Sequence, residues 1–394
     1  MQKGNRILSI DIMRGLTLFL MLFVNDLYVP GVPSWMVHTK ADFDGMGLAD
    51  WVFPGFLFMV GMAVPFALQS RMKSGNNFPG IFLHIVIRTV SLLVIGVLML
   101  NSSRLDAGLS GINKDLWAIL MYVSVFLVWN NYGKLKGNIL LLFKGLGIFG
   151  LIVLAAIFRS GTPEKIEWMQ TGWWGILGLI GWGYFAAAVV YMVCRDSLLK
   201  TGVFWLLFVA LNILSQLNLT DFLNPVKPVF GVLISGSVPS IVLTGMMFAL
   251  LLRNLEKKDI KKFIVAGLVI GVVLLIFGFV LRNWFIISKI KGTPSWGMIC
   301  NGISILVFML LYFIIDVLGQ QKWSTVFKPA GQNSLTTYLA PDILYHLIWM
   351  TSIPVLFYKQ SELQWVVVSG SVVWAFAMIG FAALLSKIGI RLKL

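Results

Sequence analysis

The stretch Ile7-Leu-Ser-Ile-Asp-Ile-Met-Arg-Gly-Leu-Thr-Leu-Phe-Leu-Met-Leu-Phe-Val-Asn25 carries two charges, Asp11 and Arg14, in an otherwise uncharged and mostly apolar run. As a helix it rises about 28 Å, close to the roughly 30 Å hydrocarbon core of a bilayer. Lys3 and Arg6 precede it, as in a signal peptide, but no small-x-small cleavage site follows, so the run is expected to stay as a first membrane helix.

Similar runs recur as far as residue 385. Of the 394 residues 58% are apolar and only 12% charged, with a mean hydropathy of +0.88, against roughly 25% charged in a soluble domain. No polar stretch is large enough to bury a core of its own, so residues 1–394 read as one integral membrane domain. The expectation is an all-α polytopic protein with about ten to twelve transmembrane helices. Twelve starts can be placed, near Ile7, Leu48, Gly80, Leu116, Asn138, Trp174, Thr201, Val229, Phe263, Gly297, Ser334 and Gln364. The runs after Leu116 and Thr201 are the shortest.

The net charge of +15 argues for loops and anionic headgroups rather than nucleic acid, because the bases sit between apolar runs. In the twelve-span arrangement the termini and even-numbered connections hold eighteen Lys and Arg, among them Arg71, Lys73, Lys134, Lys136, Arg253, Lys257, Lys258, Lys261 and Lys262; the other connections hold ten. The positive-inside rule then makes both ends cytoplasmic and puts the Tyr28–Gly47 connection outside. Cys194 and Cys300 fall at or inside spans and offer no disulfide framework. No inverted repeat relates the two halves, which weighs against a secondary transporter.

Asp11 and Arg14, three residues apart, share a helix face, and each charge inside a membrane needs a partner. The same face continues through Leu18 and Met21 to Asn25, as a crevice lining or as polar glue between helices. His38 precedes the second span, whose first turn contains Asp50. An imidazole titrates near neutrality; Asp50 either caps that helix or orients the imidazole as a general base.

Ser9 to Asn25, then His38, then Leu48-Ala-Asp-Trp-Val-Phe-Pro54 and Phe56-Leu-Phe-Met-Val-Gly61, resembles the lysosomal heparan-α-glucosaminide N-acetyltransferase family and its bacterial relatives. Arg88-Thr-Val-Ser-Leu-Leu-Val-Ile-Gly-Val-Leu-Met-Leu-Asn101 and Gly331-Gln-Asn-Ser-Leu-Thr-Thr-Tyr338 extend the resemblance, while residues 110–290 match poorly. It implies a catalytic His38 aided by Asn25; Asp50 is the third catalytic candidate, on the orienting reading above. It also implies transfer of an acetyl group from cytoplasmic acetyl-CoA to a glucosamine-containing glycan outside, in a bacterial inner membrane. Coenzyme A is polyanionic at its nucleotide end, which suits guanidinium groups. Asp11, Arg14, Arg88, Asn333, Ser334 and Tyr338 are the expected coenzyme contacts, although Arg88 could equally snorkel. Where that family commonly has Trp-Asn-Gly soon after the histidine, this chain has Asp42-Phe-Asp-Gly45, with two extra residues before Asp50.

Ser334, Tyr338, Asp342 and His346, spaced by four, form a polar face that would pack against the site, touch the coenzyme or relay protons. The last option belongs to an alternative, a proton-coupled transporter of a sugar or organic anion; a non-catalytic scaffold for glycan processing is a third. His84 reads as a packed polar group and Lys144 as a snorkelling one. The sequence has no metal-ligand cluster, no Walker loop and no Gly-x-Ser-x-Gly elbow. Beyond membrane lipids and the acceptor, a homodimer through Gly175, Gly178, Gly181 and Gly183 is a conceivable partnership.

Overall fold

The computed structural model describes residues 7–133, 137–255 and 259–394; Lys3, Arg6, Lys134, Lys136, Lys257 and Lys258 lie outside them. The described chain is helical: α1 (Leu8–Asp26), α2 (Leu48–Lys73), α3 (Phe78–Ser102), α4 (Ala107–Ser110), α5 (Lys114–Trp129), α6 (Asn138–Ile157), α7 (Gly175–Cys194), α8 (Leu198–Gln216), α9 (Lys227–Ser235), α10 (Ser237–Leu255), α11 (Ile260–Leu281), α12 (Pro294–Tyr312), α13 (Lys328–Gln332), α14 (Ser334–Thr351) and α15 (Gln364–Lys387). One short antiparallel hairpin pairs Ser160–Thr162 with Lys165–Glu167. The chain is an all-α polytopic membrane protein.

Each of the twelve expected runs is helical, but the one near Val229 is divided between α9 and α10 at Gly236, and they are not all full spans. Among the described residues ten helical segments are long and apolar enough to cross a membrane. The count is eleven if α14 and residues 354–360, bent by 98°, are taken together. The run after Thr201 is a full-length helix, α8. The run after Leu116 is α5, whose 16 residues rise only about 24 Å. Asn113 stops it at one end by accepting from the Asp115 and Leu116 N–H groups, and the chain turns extended at Asn130.

Contacts between loops show how the passes alternate. On one face Asp316, in the π-helical turn Phe313–Val317 that follows α12, accepts from the Leu8 and Ser9 backbone N–H groups, each at 3.0 Å, satisfying donors that the first turn of α1 would leave orphaned. There too Asn131 N–H donates to Arg391 and Leu392 N–H to Thr336, so the start of α1 and the 388–394 tail share that face. The opposite face carries the 27–47 loop, which is tied to the 282–293 loop.

α2 is the hub, packed against α1, α7, α10 and α12; 78% of its apolar window is buried, against 11% for α6, which therefore faces lipid. Pro54 and Pro65 sit inside α2 without ending it, tolerable where neighbouring helices shield the freed carbonyls. A Cβ at Gly331 would overlap the Asp11 carbonyl oxygen, and one at Gly15 the Phe327 carbonyl. This close approach seats α13 on α1 and brings residues 331–334 to the level of Arg14. The glycines of α7 are used within the chain: Gly178 packs at Gly96 of α3, Gly181 at Leu92 and Gly183 at Val242 of α10. The face that suggested a homodimer is thus already covered. Cys194 and Cys300 are free and buried.

Candidate functional site

Two arrangements, on opposite faces, use the residues singled out from the sequence. The first is built around Asp50. Its position in the first turn of α2 lets one carboxylate oxygen accept from Gly47 N–H at 3.0 Å, which starts the helix. The same oxygen accepts from the Thr39 N–H and hydroxyl, each at 3.0 Å. The other oxygen lies 2.8 Å from His38 Nδ1. Asp50 is fully buried while the His38 side chain is 46% exposed, so the carboxylate is shielded and the ring reaches solvent. With Nδ1–H donating to Asp50, Nε2 keeps its lone pair, the disposition of a general base. Capping and orienting, weighed as alternatives for Asp50, are performed together by its two oxygens.

Lys289 completes this group. Its Nζ lies 3.2 Å from His38 Nδ1 and 3.4 Å from Nε2. Burial holds the Lys289 ammonium below the ordinary lysine range, since desolvation penalises charge. The lysine is carried by the 282–293 loop, which is clasped to the histidine loop. Asp44 accepts from Arg282 Nε and from Ile287 N–H, both at 2.8 Å; Ser288 donates to Ala41 and Gly45 N–H to Ile287. Lys291 pairs with Asp42 at 2.6 Å. The Ile287 N–H and then Arg282 hold the Asp44 carboxyl below the usual range, and Lys291 does the same for Asp42. Asp42-Phe-Asp-Gly45 thus fastens two loops together.

Asn25 ends α1 on this face; it is exposed and makes no hydrogen bond to His38 or Asp50. Its neighbour Asp26 is fully buried and accepts from Tyr345, from Tyr358 at 2.6 Å and from Lys359 at 3.1 Å, tying α1 to α14 and the 354–360 segment.

The second arrangement is a cavity of about 300 Å³ on the face of the termini. Its wall includes Arg14, Arg71, Arg88 and Lys393, then Asn333, Ser334 and Tyr338, with Leu18, Met21 and Phe56 among its apolar residues. No aspartate or glutamate side chain lines it among the described residues. Arg14 Nη1 donates to the Gly331 carbonyl at 3.2 Å. Arg88 stacks its guanidinium 4.6 Å from the Tyr184 ring centroid, and its buried Nε has no protein partner. Four basic side chains, with no acidic side chain in the wall beside them, suit a polyanion, and the apolar wall suits a flexible arm. Five of the six expected coenzyme contacts meet here. Asp11 does not line the cavity; it is buried in the first turn of α1 with its carbonyl against Gly331. Of the stripe on α1, Arg14, Leu18 and Met21 line the cavity, whereas Asn25 stands beyond it.

The polar face of α14 splits. Ser334 and Tyr338 reach the cavity, Asp342 accepts from Tyr122 at 2.6 Å, and His346 Nδ1 lies 2.8 Å from Asp115. The lower half of this face is therefore clamped to α5. Lys289, Arg71, Tyr184, Lys393 and Asp26 were not picked from the sequence. Arg71 and Lys289 looked like ordinary loop charges, and only Asp26, beside Asn25, stood next to a motif residue.

Fold and site together define a polytopic helical membrane protein with a histidine–carboxylate pair on one face and a cationic cavity on the other. Residues 6–227, more than half of the chain, match the family described as Domain of unknown function (DUF5009), and the chain belongs to that family. It is also similar to the heparan-alpha-glucosaminide N-acetyltransferases of Mus musculus, 34% identical over 99 residues, and Homo sapiens, 33% over 96. These stretches are 25% and 24% of this chain and 14% of each relative, so the chain matches only a small part of those proteins.

Proposed function

We propose that this protein is a membrane acyltransferase that moves an acetyl group from acetyl-CoA, held at the face of the termini, to an amino sugar or glycan at the face of His38. The observation that carries this reading is the convergence of Arg14, Arg88, Asn333, Ser334 and Tyr338, from three distant segments, on one cationic cavity. Arg14, Arg71, Arg88 and Lys393 would take the phosphates, and the apolar wall the pantetheine arm. Because that cavity draws on residues from 14 to 394, the whole chain is read as one catalytic unit. The excess of Lys and Arg makes the face of the termini cytoplasmic, in a bacterial inner membrane.

In this reading His38 Nε2 takes the proton of the acceptor amine, Asp50 fixes the ring's tautomer and angle, and Asn25 faces the acceptor side. Along α2, Phe56 in the cavity wall is six residues from Asp50, a rise of about 9 Å. The acyl end of the donor has that distance to bridge. His38 and the amine carry the proton transfers.

The test is acetyl-CoA consumption by the purified protein in detergent, with amino sugars and neutral sugars as acceptors, comparing wild type with His38→Ala. Acceptor-dependent thioester loss that disappears in the variant is expected. Folded protein that neither binds nor consumes acetyl-CoA, yet accumulates a sugar or organic anion in sealed vesicles, would replace this reading with transport.

A further inference from the structure

Lys289 places its amine against the His38 ring, 3.2 Å from Nδ1 and 3.4 Å from Nε2, within reach of any acyl group brought to that histidine. Asp50 engages Nδ1 of His38 at 2.8 Å and has its second oxygen filled by three donors, so the accessible base is Nε2. The Lys289 nitrogen is 3.4 Å from it. Among the described residues no carboxylate comes within ion-pairing distance of Lys289, in contrast to Lys291, which is 2.6 Å from Asp42. The clasp of Asp44 on Arg282 and Ile287 holds the lysine's loop in place.

We propose that Lys289 is an acyl-capture site: when no acceptor is bound, its amine takes the acetyl group in a step that needs His38. One proton passes from the Lys289 ammonium to His38 Nε2. The amine nitrogen bonds to the acyl carbon as the thioester C–S bond breaks, and the leaving thiolate takes the proton from the imidazole. Of the two protons then on that nitrogen one leaves to water and one stays on the neutral amide, so no oxidant or reductant is required. The groups facing the pair are Asp50 from α2, Thr39 from the histidine loop and Cys300 from α12, the last close enough to act on Lys289 through space. Burial, which holds the ammonium down, favours the neutral nucleophile. Acetyl-lysine would fill the acceptor position and remove a charge beside His38, so capture is self-limiting and acceptor protects against it.

This inference rests on the acyl-transfer reading, and the experiment separates the two. Purified protein is incubated with acetyl-CoA without sugar, and acetylation of the Lys289, Lys291 and Lys40 peptides is followed by mass spectrometry. Positioned base catalysis predicts that Lys289 is labelled roughly tenfold or more faster than the other two, that His38→Ala abolishes the difference, and that acceptor slows it. N-acetylimidazole, which requires no coenzyme site, serves as a second donor. Selective, His38-dependent labelling by it but not by acetyl-CoA supports the capture site and removes the coenzyme reading. Sugar turnover with uniform lysine labelling overturns the capture site and leaves the transferase standing. Uniform or His38-independent labelling with both donors also overturns it. Lys289→Arg, which keeps the charge, should stay folded and lose the label.

Discussion

Replacing Asp50 by Asn separates its two tasks. The amide has nearly the shape of the carboxylate, and its single oxygen can still accept from Thr39 N–H, Thr39 Oγ and Gly47 N–H, the three donors now within 3.0 Å. Its NH2 must then point to His38 Nδ1, 2.8 Å away in the wild type. An NH2 donates, so Nδ1 becomes the acceptor and the proton moves to Nε2. The cap survives with neutral instead of charge-assisted bonds, a loss of about 1–3 kcal/mol. The base does not survive. In the Ser-His-Asp arrangement the corresponding change leaves geometry intact, inverts the tautomer and lowers turnover about 10⁴-fold. For Asp50→Asn the expectation is a fold that melts a few degrees lower, acetyl-CoA affinity within about threefold because the cavity lies on the other face, and turnover down on the order of 10³–10⁴-fold. Turnover by thioester loss, binding by calorimetry and melting by nanoscale fluorimetry measure the three. An Asn variant with a tenth or more of wild-type turnover would refute the orienting role, and one that loses donor affinity in step with turnover would refute the separation of the two sites.

Arg88→Met removes a buried guanidinium whose Nε lacks a protein partner; loss of one charge-assisted contact of about 1.5–3 kcal/mol predicts a roughly 10- to 150-fold weaker acetyl-CoA Kd, read by calorimetry, with little change in melting. Gly331→Val puts a side chain against the Asp11 carbonyl, where backbone cannot yield, so a loss of about 1–3 kcal/mol is expected in thermal unfolding together with weaker donor binding. Asp44 has its folded pKa depressed, chiefly by the Ile287 N–H and then by Arg282. Its contribution is therefore present above its unfolded value of about 4 and is lost as pH falls through the lower folded value. Because the pair is partly exposed, the amount is under about 1 kcal/mol. Asp44→Ala should flatten the fall in melting temperature below about pH 4, and an unchanged slope would count against the clasp.

The apolar runs alone determined that this chain lies in a membrane as a helical bundle, because each helix satisfies its own backbone and only length and polarity need be read. The positions of most helices followed for the same reason. α5 was harder to judge, since its ends are set by Asn113 and by the turn at Asn130 rather than by hydropathy. The glycines of α7 could equally have faced another copy; their partners, Gly96, Leu92 and Val242, are supplied by α3 and α10. His38 and Asp50, twelve residues apart, were recognisable together because a local loop joins them. Arg14, Arg88 and Tyr338 were each recognisable, but that they share a cavity depends on Gly15 and Gly331 letting α13 press onto α1, a packing fact that no local signal contains. Arg71 and Lys289 were invisible as site residues, since a basic residue in a loop looks the same whether it faces water or a site. Local physics fixed which segments are helices and which residues carry chemistry; long-range packing, through contacts more than two hundred residues apart such as Lys289 with His38 and Asp316 with Leu8, decided which of them meet.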